Sequence, residues 1–174
     1  MTNQAYGIAV LVAGLALLPA CATQHSPAGT GAATQGDEVL VELVFNSGQC
    51  GGAAREAALT RLDATALAAF VARHEARGGS FDAGALDPQR ETILLVEMGQ
   101  KPTAGYGLGL AEMPARLVGT TLEIPFRWSE PAPGAITAQV LTSPCVLLRL
   151  DAGEARSVRI VDEQGRVLLE GSLD

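Results

Sequence analysis

The thiol of Cys21 has the clearest chemistry in this chain of 174 residues, because of the residues that precede it. Residues 8–18 are apolar and uncharged, and only Pro19 and Ala20 separate them from Cys21. An apolar run of about 7–15 residues that ends at small residues is typical of a secretory signal peptide, and it is too short to span a bilayer as a helix. We therefore expect residues 1–20 to be removed and the mature chain to begin at the cysteine.

The motif Leu18-Pro19-Ala20-Cys21 resembles a lipobox, at which bacterial prolipoproteins are diacylated on the thiol and cleaved before the cysteine. The alternative is an ordinary secretory signal that has a cysteine after its cleavage site. Residues 1–4 also lack the Lys or Arg that a signal peptide normally has. We predict a lipoprotein that is anchored to a membrane by palmitate-type chains on Cys21. Ala22, where an Asp would resemble an inner-membrane retention signal, favours the outer membrane, facing the periplasm or the surface.

Cys50 and Cys145 are the two remaining cysteines. An even number of cysteines in a chain outside the cytoplasm predicts a disulfide, because the compartment is oxidising. Two buried reduced thiols are the alternative. The bond would join the loop after the first predicted strand to a late strand.

The charge of the chain excludes one class of partner. The sequence has 12 basic and 19 acidic residues, a net charge of −7, and a single lysine, Lys101. A protein that binds nucleic acid needs a basic surface to neutralise phosphates, and no basic stripe is present. We therefore expect no nucleic-acid partner.

Residues for catalysis or metal binding do not form a recognisable set. The chain has two histidines, His25 before the folded part and His74 on a predicted helix. The sequence contains no HExxH, no CxxC and no phosphate-binding loop, and its carboxylates are scattered. We predict a non-enzymatic protein with no metal and no cofactor.

The elements that must position these residues follow from composition and hydropathy. Residues 21–36 are small and polar, which predicts a flexible tether, and residues 37–174 suffice for a single compact domain. Residues 39–45 predict the first strand, and Asp63 predicts the N-cap of a helix that ends at Gly78-Gly79.

From residue 92 onward the predicted elements are nearly all strands. The run 93–98, which is apolar except for Glu97, is typical of a central strand, and residues 136–141 and 146–150 predict further strands. Gln164-Gly165 indicates a hairpin turn. The whole pattern predicts an α+β fold with one main helix and a mostly antiparallel sheet of about seven or eight short strands.

The predicted strand after Gly105 has one bare face. Gly105, Gly107 and Gly109 alternate with Tyr106 and Leu108. A glycine-lined face normally lies against another backbone or a bulky ring, so we favour close sheet packing. A surface groove for a partner is the alternative.

The sequence GQKPTAGY at residues 99–106 follows an apolar strand and resembles the signature of the PrcB family, lipoprotein subunits of surface protease complexes. Residues 131–134 (PAPG) are similar to the family's proline turn, and residues 141–144 (LTSP) to the approach to its last strand. The resemblance covers residues 92–151, but Cys145 stands where an aromatic residue is usual and Ala104 where glycine is usual. It implies a PrcB-like α+β domain over residues 37–174 with an assembly or binding role.

Residues 101–106 are also similar to the protease-contacting loop of chagasin-type cysteine-protease inhibitors, although the other two contact loops of that family are missing. Pro102 fixes φ and Gly105 permits positive φ, so both resemblances predict a rigid turn. An ordered loop loses little entropy on binding, which suits a contact surface.

These observations predict a membrane-anchored, non-enzymatic binding or assembly subunit of the bacterial cell envelope. Its expected partner is an envelope protein, for which the resemblance suggests a surface protease complex. A chagasin-like protease inhibitor is the alternative, and a hydrolase ranks third. The predicted partner-binding residues are Lys101, Pro102, Thr103, Gly105 and Tyr106, although strand alternation also allows the Tyr106 ring to anchor the core.

Overall fold

The computed structural model describes residues 37–51 and 56–173, in which it has ten strands and one helix. In chain order these are β1 (Asp37–Val39), β2 (Val41–Ser47), β3 (Ala58–Arg61), α1 (Ala64–Glu75), β4 (Thr92–Glu97), β5 (Gly107–Leu110), β6 (Ala115–Val118), β7 (Thr121–Ser129), β8 (Cys145–Leu150), β9 (Ser157–Val161) and β10 (Val167–Ser172). The predicted signal peptide, the lipidation site Cys21 and the tether lie outside the described residues. No helix in the described ranges has the length and apolar character needed to cross a membrane.

The strands form two sheets. One has the order β1-β6-β7-β9-β10, with β5 also paired to β7, and the other has the order β2-β8-β4-β3. All strand pairings are antiparallel except that of β7 with β9. The predicted mostly antiparallel sheet with one main helix is therefore confirmed.

The predicted number of seven or eight strands is too low. The expected first strand is divided at Leu40, which is 88% exposed, because the chain passes there from the six-stranded sheet to the four-stranded sheet. The edge positions β1, β3 and β5 are occupied by strands of only three or four residues.

The central strands of the four-stranded sheet are mostly apolar because both of their faces are covered. On β4, Leu94 and Val96 face the six-stranded sheet, while Ile93 and Leu95 face the layer that contains α1. The adjacent strand β8 divides in the same way between the two clusters. The continuous run that predicted a central strand is thus explained by a three-layer arrangement.

The outer face of the six-stranded sheet is polar. Five charged side chains occupy one register across it, from β1 to β10: Glu38, Arg116, Glu123, Arg159 and Glu170. The signs alternate at every step, so each strand neighbour is attractive. This outer face is therefore suited to contact with solvent.

The helix α1 begins where the sequence predicts. The carboxylate of Asp63 accepts a hydrogen bond from the Ala66 N–H at 2.7 Å, as an N-cap does. Leu67 and Phe70 are buried against the four-stranded sheet. The regular helix ends at Glu75, before the predicted Gly78-Gly79.

The predicted strand at residues 136–141 is wrong, because this segment has no ladder partner in the described structure. The two residues that follow it form isolated bridges, Thr142 to Lys101 and Ser143 to Gln49. The Val140 N–H bonds the Ala138 carbonyl at 3.0 Å, a tight local turn that interrupts a regular strand.

Candidate functional site

Loops from both sheets meet at one end of the sandwich. β2 and β4 end there and β8 begins there, since Ser47 and Glu97 are both level with Cys145. In the other sheet β7 ends where β5 begins, with Ser129 opposite Gly107. The connections 48–51, 98–106 and 130–144 therefore lie beside one another.

The turn 101–106 connects β4 to β5 and is fixed by backbone hydrogen bonds. Lys101 exchanges both bonds with Thr142, at 2.8 and 2.9 Å. The Thr142 hydroxyl donates to the Thr103 carbonyl at 2.9 Å. Gly105 has φ of 96°, and a Cβ added there would lie 3.0 Å from the Pro131 side chain, so glycine is required on both counts.

Lys101 and Tyr106 contact each other across the turn. The ammonium nitrogen of Lys101 lies 5.4 Å from the centroid of the Tyr106 ring. The ring is half-buried and packs against the core cluster between the sheets. Tyr106 thus joins the turn to the core, which was one of the two roles that the sequence allows.

A second segment, residues 135–142, runs alongside the turn and is called here the outer segment. Besides the bonds at Thr142, its Ala138 carbonyl accepts a hydrogen bond from the Ala104 N–H at 3.0 Å. The Gln49 side chain donates to the Leu141 carbonyl at 2.8 Å. The turn and the outer segment therefore form one continuous surface.

The outer segment presents apolar side chains to solvent. Ile136 is fully exposed, Leu141 is 65% exposed and Val140 is 47% exposed. Sequence reasoning placed these residues in a sheet and missed them as surface. The signal that could have found them is the absence of any charged residue from 131 to 148 in a chain where charged residues make up 18%.

The glycine face of β5 is open rather than closely packed. A Cβ built on Gly107 or Gly109 would meet no atom of the described residues within 4 Å. The favoured prediction of close packing is therefore wrong at Gly107 and Gly109, although at Gly105 the Pro131 ring does lie against the predicted face. The bare face lies directly after the turn 101–106.

A disulfide joins Cys50 to Cys145, with Cα atoms 5.8 Å apart, as the cysteine count predicted. Both residues are buried. The Cys50 N–H donates to the Ser143 carbonyl at 3.0 Å. The crosslink thus lies beneath the C-terminal end of the outer segment and fixes its connection to β8.

Ionisable groups near this end of the sandwich are few. Partial burial raises the pKa of Glu97 at the end of β4, and the charge of Arg73 on α1 opposes this. His74 packs edge-on against Phe45 in an aromatic cluster. The described residues contain no group of three or more His, Cys, Asp or Glu side chains that could hold a metal ion.

The fold places the described residues among α+β proteins in which two sheets pack together and a helix covers one of them. Residues 92–151, from β4 to the start of the loop after β8, match the family model described as PrcB C-terminal. The resemblance inferred from residues 99–106 is therefore confirmed over this segment. No curated protein and no solved structure matches the chain significantly.

Proposed function

We propose that this chain is a lipid-anchored, non-enzymatic binding or assembly subunit of the bacterial cell envelope. Its partner is an envelope protein, and the family resemblance favours a surface protease complex. The contact surface consists of the turn 101–106 and the outer segment. The observation that carries the proposal is a rigid turn, set beside exposed apolar side chains, whose lysine has no carboxylate within ion-pair distance among the described residues.

The order of the turn supports a binding role. Its backbone is bonded to the outer segment at Lys101 and Ala104, and Gly105 fits only as glycine. A surface that is already ordered loses little conformational entropy when a partner binds. Lys101 has no carboxylate within ion-pair distance among the described residues, so its charge remains available to a partner.

The direction of the chain supports an anchored protein whose contact surface faces away from the membrane. Asp37, where the tether joins β1, pairs with Leu117, which in turn pairs with Leu122 near the start of β7. The contact surface lies beyond Ser129, at the other end of β7. A strand rises about 3.3 Å per residue, which separates the two ends by about 20 Å.

The test uses the fact that Lys101 is the only lysine in the chain. Among side chains, an amine-reactive crosslinker applied to intact cells can then attach only at this position, and peptide mapping distinguishes it from the N-terminal amine. We expect mass spectrometry to identify an envelope protein bonded to Lys101. The relocated variant Lys101→Arg with Arg156→Lys is the matched control, since Arg156 is exposed, lies outside the contact surface and is in no ion pair among the described residues.

Binding itself is tested with Lys101→Glu. In a pull-down without crosslinker, recovery of the partner that crosslinking identified should fall. Loss of the cation–π contact should lower the free energy of unfolding by at most about 1 kcal/mol. In cells given a palmitate analogue, Cys21→Ser should abolish labelling of the protein. Equal crosslinking of the partner to position 101 in wild type and to position 156 in the relocated variant would contradict the proposed contact surface. A wild-type protein that takes up no palmitate analogue would contradict the lipid anchor.

The runner-up, a cysteine-protease inhibitor, gives a different result in a separate assay. The purified chain would inhibit papain, and Lys101→Glu would relieve that inhibition. A binding or assembly subunit leaves papain unaffected.

A further inference from the structure

We infer that a cavity beside the contact surface is a carboxylate-binding site, in which the guanidinium of Arg77 receives the anion. The cavity has a volume of about 300 Å³ and lies between the turn that follows α1, the loop after β2 and the outer segment. Its lining has one cation, several side-chain donors and no Asp or Glu among the described residues. The inference goes beyond the proposed function, because it assigns a ligand chemistry to a separate site.

The guanidinium of Arg77 is placed at the cavity by its contact with the backbone of Gly51. A Cβ added to Gly51 would overlap with the guanidinium, so the arginine occupies the space that any other side chain would need. Gly51 also has φ of 67°, a conformation that favours glycine. The position of the charge therefore depends on glycine at residue 51.

The charge of Arg77 is not used within the described structure. No carboxylate of the described residues lies within ion-pair distance of it. Arg73, four residues earlier on α1, differs, because its charge acts on Glu97. Residues 52–55, which follow Gly51, include no acidic residue in the sequence. The guanidinium is thus available to an anion from outside.

Other side chains of the lining provide hydrogen-bond donors. Gln49 uses one amide hydrogen on the Leu141 carbonyl, at 2.8 Å, and retains a second. The Ser143 hydroxyl oxygen accepts from the Gly51 N–H at 3.0 Å, so its own proton is free to donate. Gln100 also lines the cavity, and its side chain makes no hydrogen bond within the described residues. A carboxylate has about four acceptor positions on its two oxygens, which these donors suit.

The charges and shapes of the lining favour a carboxylate over a phosphate. One guanidinium balances one carboxylate, whereas a phosphate dianion would add to the excess of negative charge in a chain of net charge −7. The planar guanidinium also matches a carboxylate in a bidentate pair. Leu141, which is 65% exposed, offers an apolar contact to the carbon chain that carries the acid.

The walls of the cavity are fixed before a ligand arrives. The disulfide between Cys50 and Cys145 joins the loop after β2 to the start of β8. The Gly51 N–H and the Cys50 N–H both bond Ser143, so two walls of the cavity are held together on each side of the crosslink. A preformed site limits the entropy that binding must offset.

The carboxylate has two possible sources, a small carboxylic acid and an acidic group of the partner protein. The cavity shares Leu141 and Thr142 with the outer segment, so it borders the contact surface. Both sources present the same chemistry to Arg77, and the experiment separates them.

The experiment titrates N-acetyl-leucine into the isotope-labelled full-length protein in detergent micelles and follows the backbone amide signals by NMR. We expect saturable shifts at Gln49, Gly51 and Ser143. N-acetyl-leucine amide has the same shape without the charge. This amide and inorganic phosphate should each bind at least about tenfold more weakly than N-acetyl-leucine.

Variants then test the role of Arg77. Arg77→Gln should lower the affinity for N-acetyl-leucine at least about tenfold, because the charged hydrogen bonds are lost. Arg73→Gln is the matched control, since Arg73 is also exposed but does not line the cavity, and it should bind as wild type does. Gly51→Ala should weaken binding although Arg77 is still present, because the added Cβ displaces the guanidinium.

Absence of saturable shifts, equal binding of N-acetyl-leucine and its amide, or equal affinities of Arg77→Gln and Arg73→Gln would overturn the inference. Tighter binding of phosphate would overturn the choice of a carboxylate.

A pull-down of the partner identified by crosslinking through Lys101 distinguishes the two sources. Reduced recovery in Arg77→Gln would assign the carboxylate to the partner, and unchanged recovery would assign it to a small acid. Absence of the Lys101 crosslink in cells would contradict the proposed function and leave the carboxylate site standing.

Discussion

Tyr106 holds the turn 101–106 to the sandwich, because its ring packs on the core cluster while its face receives the ammonium of Lys101. Truncating a buried aromatic side chain to alanine costs about 3–5 kcal/mol. Since Tyr106 is half-buried, we expect Tyr106→Ala to lower the free energy of unfolding by about 2–3 kcal/mol. Urea denaturation of the purified protein measures this loss.

Tyr106→Phe is the control for this prediction. It keeps the ring and its contact with Lys101, and the hydroxyl makes no hydrogen bond in the described structure, so stability should stay within about 0.5 kcal/mol of wild type. A loss from Tyr106→Ala that is no greater than the loss from Tyr106→Phe would show that the ring does not anchor the turn.

Residue types alone identified part of the contact surface and missed the rest. Pro102, Gly105 and Lys101 stand out in the sequence because their backbone constraints and charge are local properties. The exposure of Ile136 is not local, since it depends on whether another strand pairs with its segment. No described segment pairs with residues 136–141, so their apolar side chains are exposed although the run is typical of a sheet.

At the scale of the element, the hairpin between β9 and β10 is organised by Asp162. Its carboxylate accepts hydrogen bonds from the N–H groups of Gln164 and Arg166 at 2.9 Å and from the Arg166 guanidinium at 2.6 Å. Desolvation opposes ionisation, but these bonds outweigh it and hold the pKa of Asp162 below its ordinary value. The turn predicted at Gln164-Gly165 is confirmed at this point.

The lowered pKa predicts how the stability of the hairpin depends on pH. Because the folded pKa of Asp162 lies below the unfolded value of about 3.9, its contribution is complete above about pH 5 and is lost as pH falls through the folded pKa. Asp162→Asn should therefore lower the urea midpoint at pH 7. The difference from wild type should shrink when both are measured near pH 3.

The neighbouring Glu163→Gln serves as the control, because Glu163 is half-exposed and its ion-pair distance to Arg127 is 3.9 Å. Its midpoint should follow that of wild type at both pH values. If Asp162→Asn lowers the urea midpoint by the same amount at pH 3 and at pH 7, the effect comes from the changed side-chain geometry and not from ionisation of Asp162.

Elements with local signals were predicted well, and elements defined by their neighbours were not. The helix α1 was predicted from Asp63 and the periodicity that follows it, and β4 from its continuous apolar run. The division of the first strand at Leu40 and the loss of the strand at 136–141 depend on which sheet each segment joins. Pairing over long sequence separations leaves no signal in a single segment.

At the scale of the whole folded part, charged side chains are distributed unevenly between the outer sheet face and the loop end. The outer face of the six-stranded sheet has a row of alternating charges, whereas the loops beyond β7 and β4 have Lys101 as their only cation. A protein tethered near the start of β1 would present the end with Lys101 and the apolar outer segment to other molecules, and the row of alternating charges to water. The distribution of charge thus agrees with the proposed orientation.

The disulfide connects distant parts of the chain, because it joins the loop after β2 to the start of β8 across a sequence separation of 95. The chain-entropy model gives a stabilisation of about 4–5 kcal/mol for a closed loop of this size. Domains of this kind are stable by about 5–15 kcal/mol, so the double variant Cys50→Ala/Cys145→Ala should lose a large part of its stability. Urea unfolding of the variant and of wild type, with and without reductant, measures the loss.

Both cysteines are replaced together so that no free thiol remains, and reduced wild type should unfold at nearly the same urea concentration as the variant. Amide exchange gives the local consequence: the N–H groups of Thr142 and Ser143, which bond the Lys101 and Gly48 carbonyls, should exchange faster in the variant because the crosslink no longer fixes the start of β8. Exchange in β9, which is distant from the crosslink, should change only with global stability. A loss below about 1 kcal/mol would mean that the unfolded chain is already compact around this pair. Unchanged exchange at Thr142 and Ser143 would mean that the disulfide does not hold the contact surface in place.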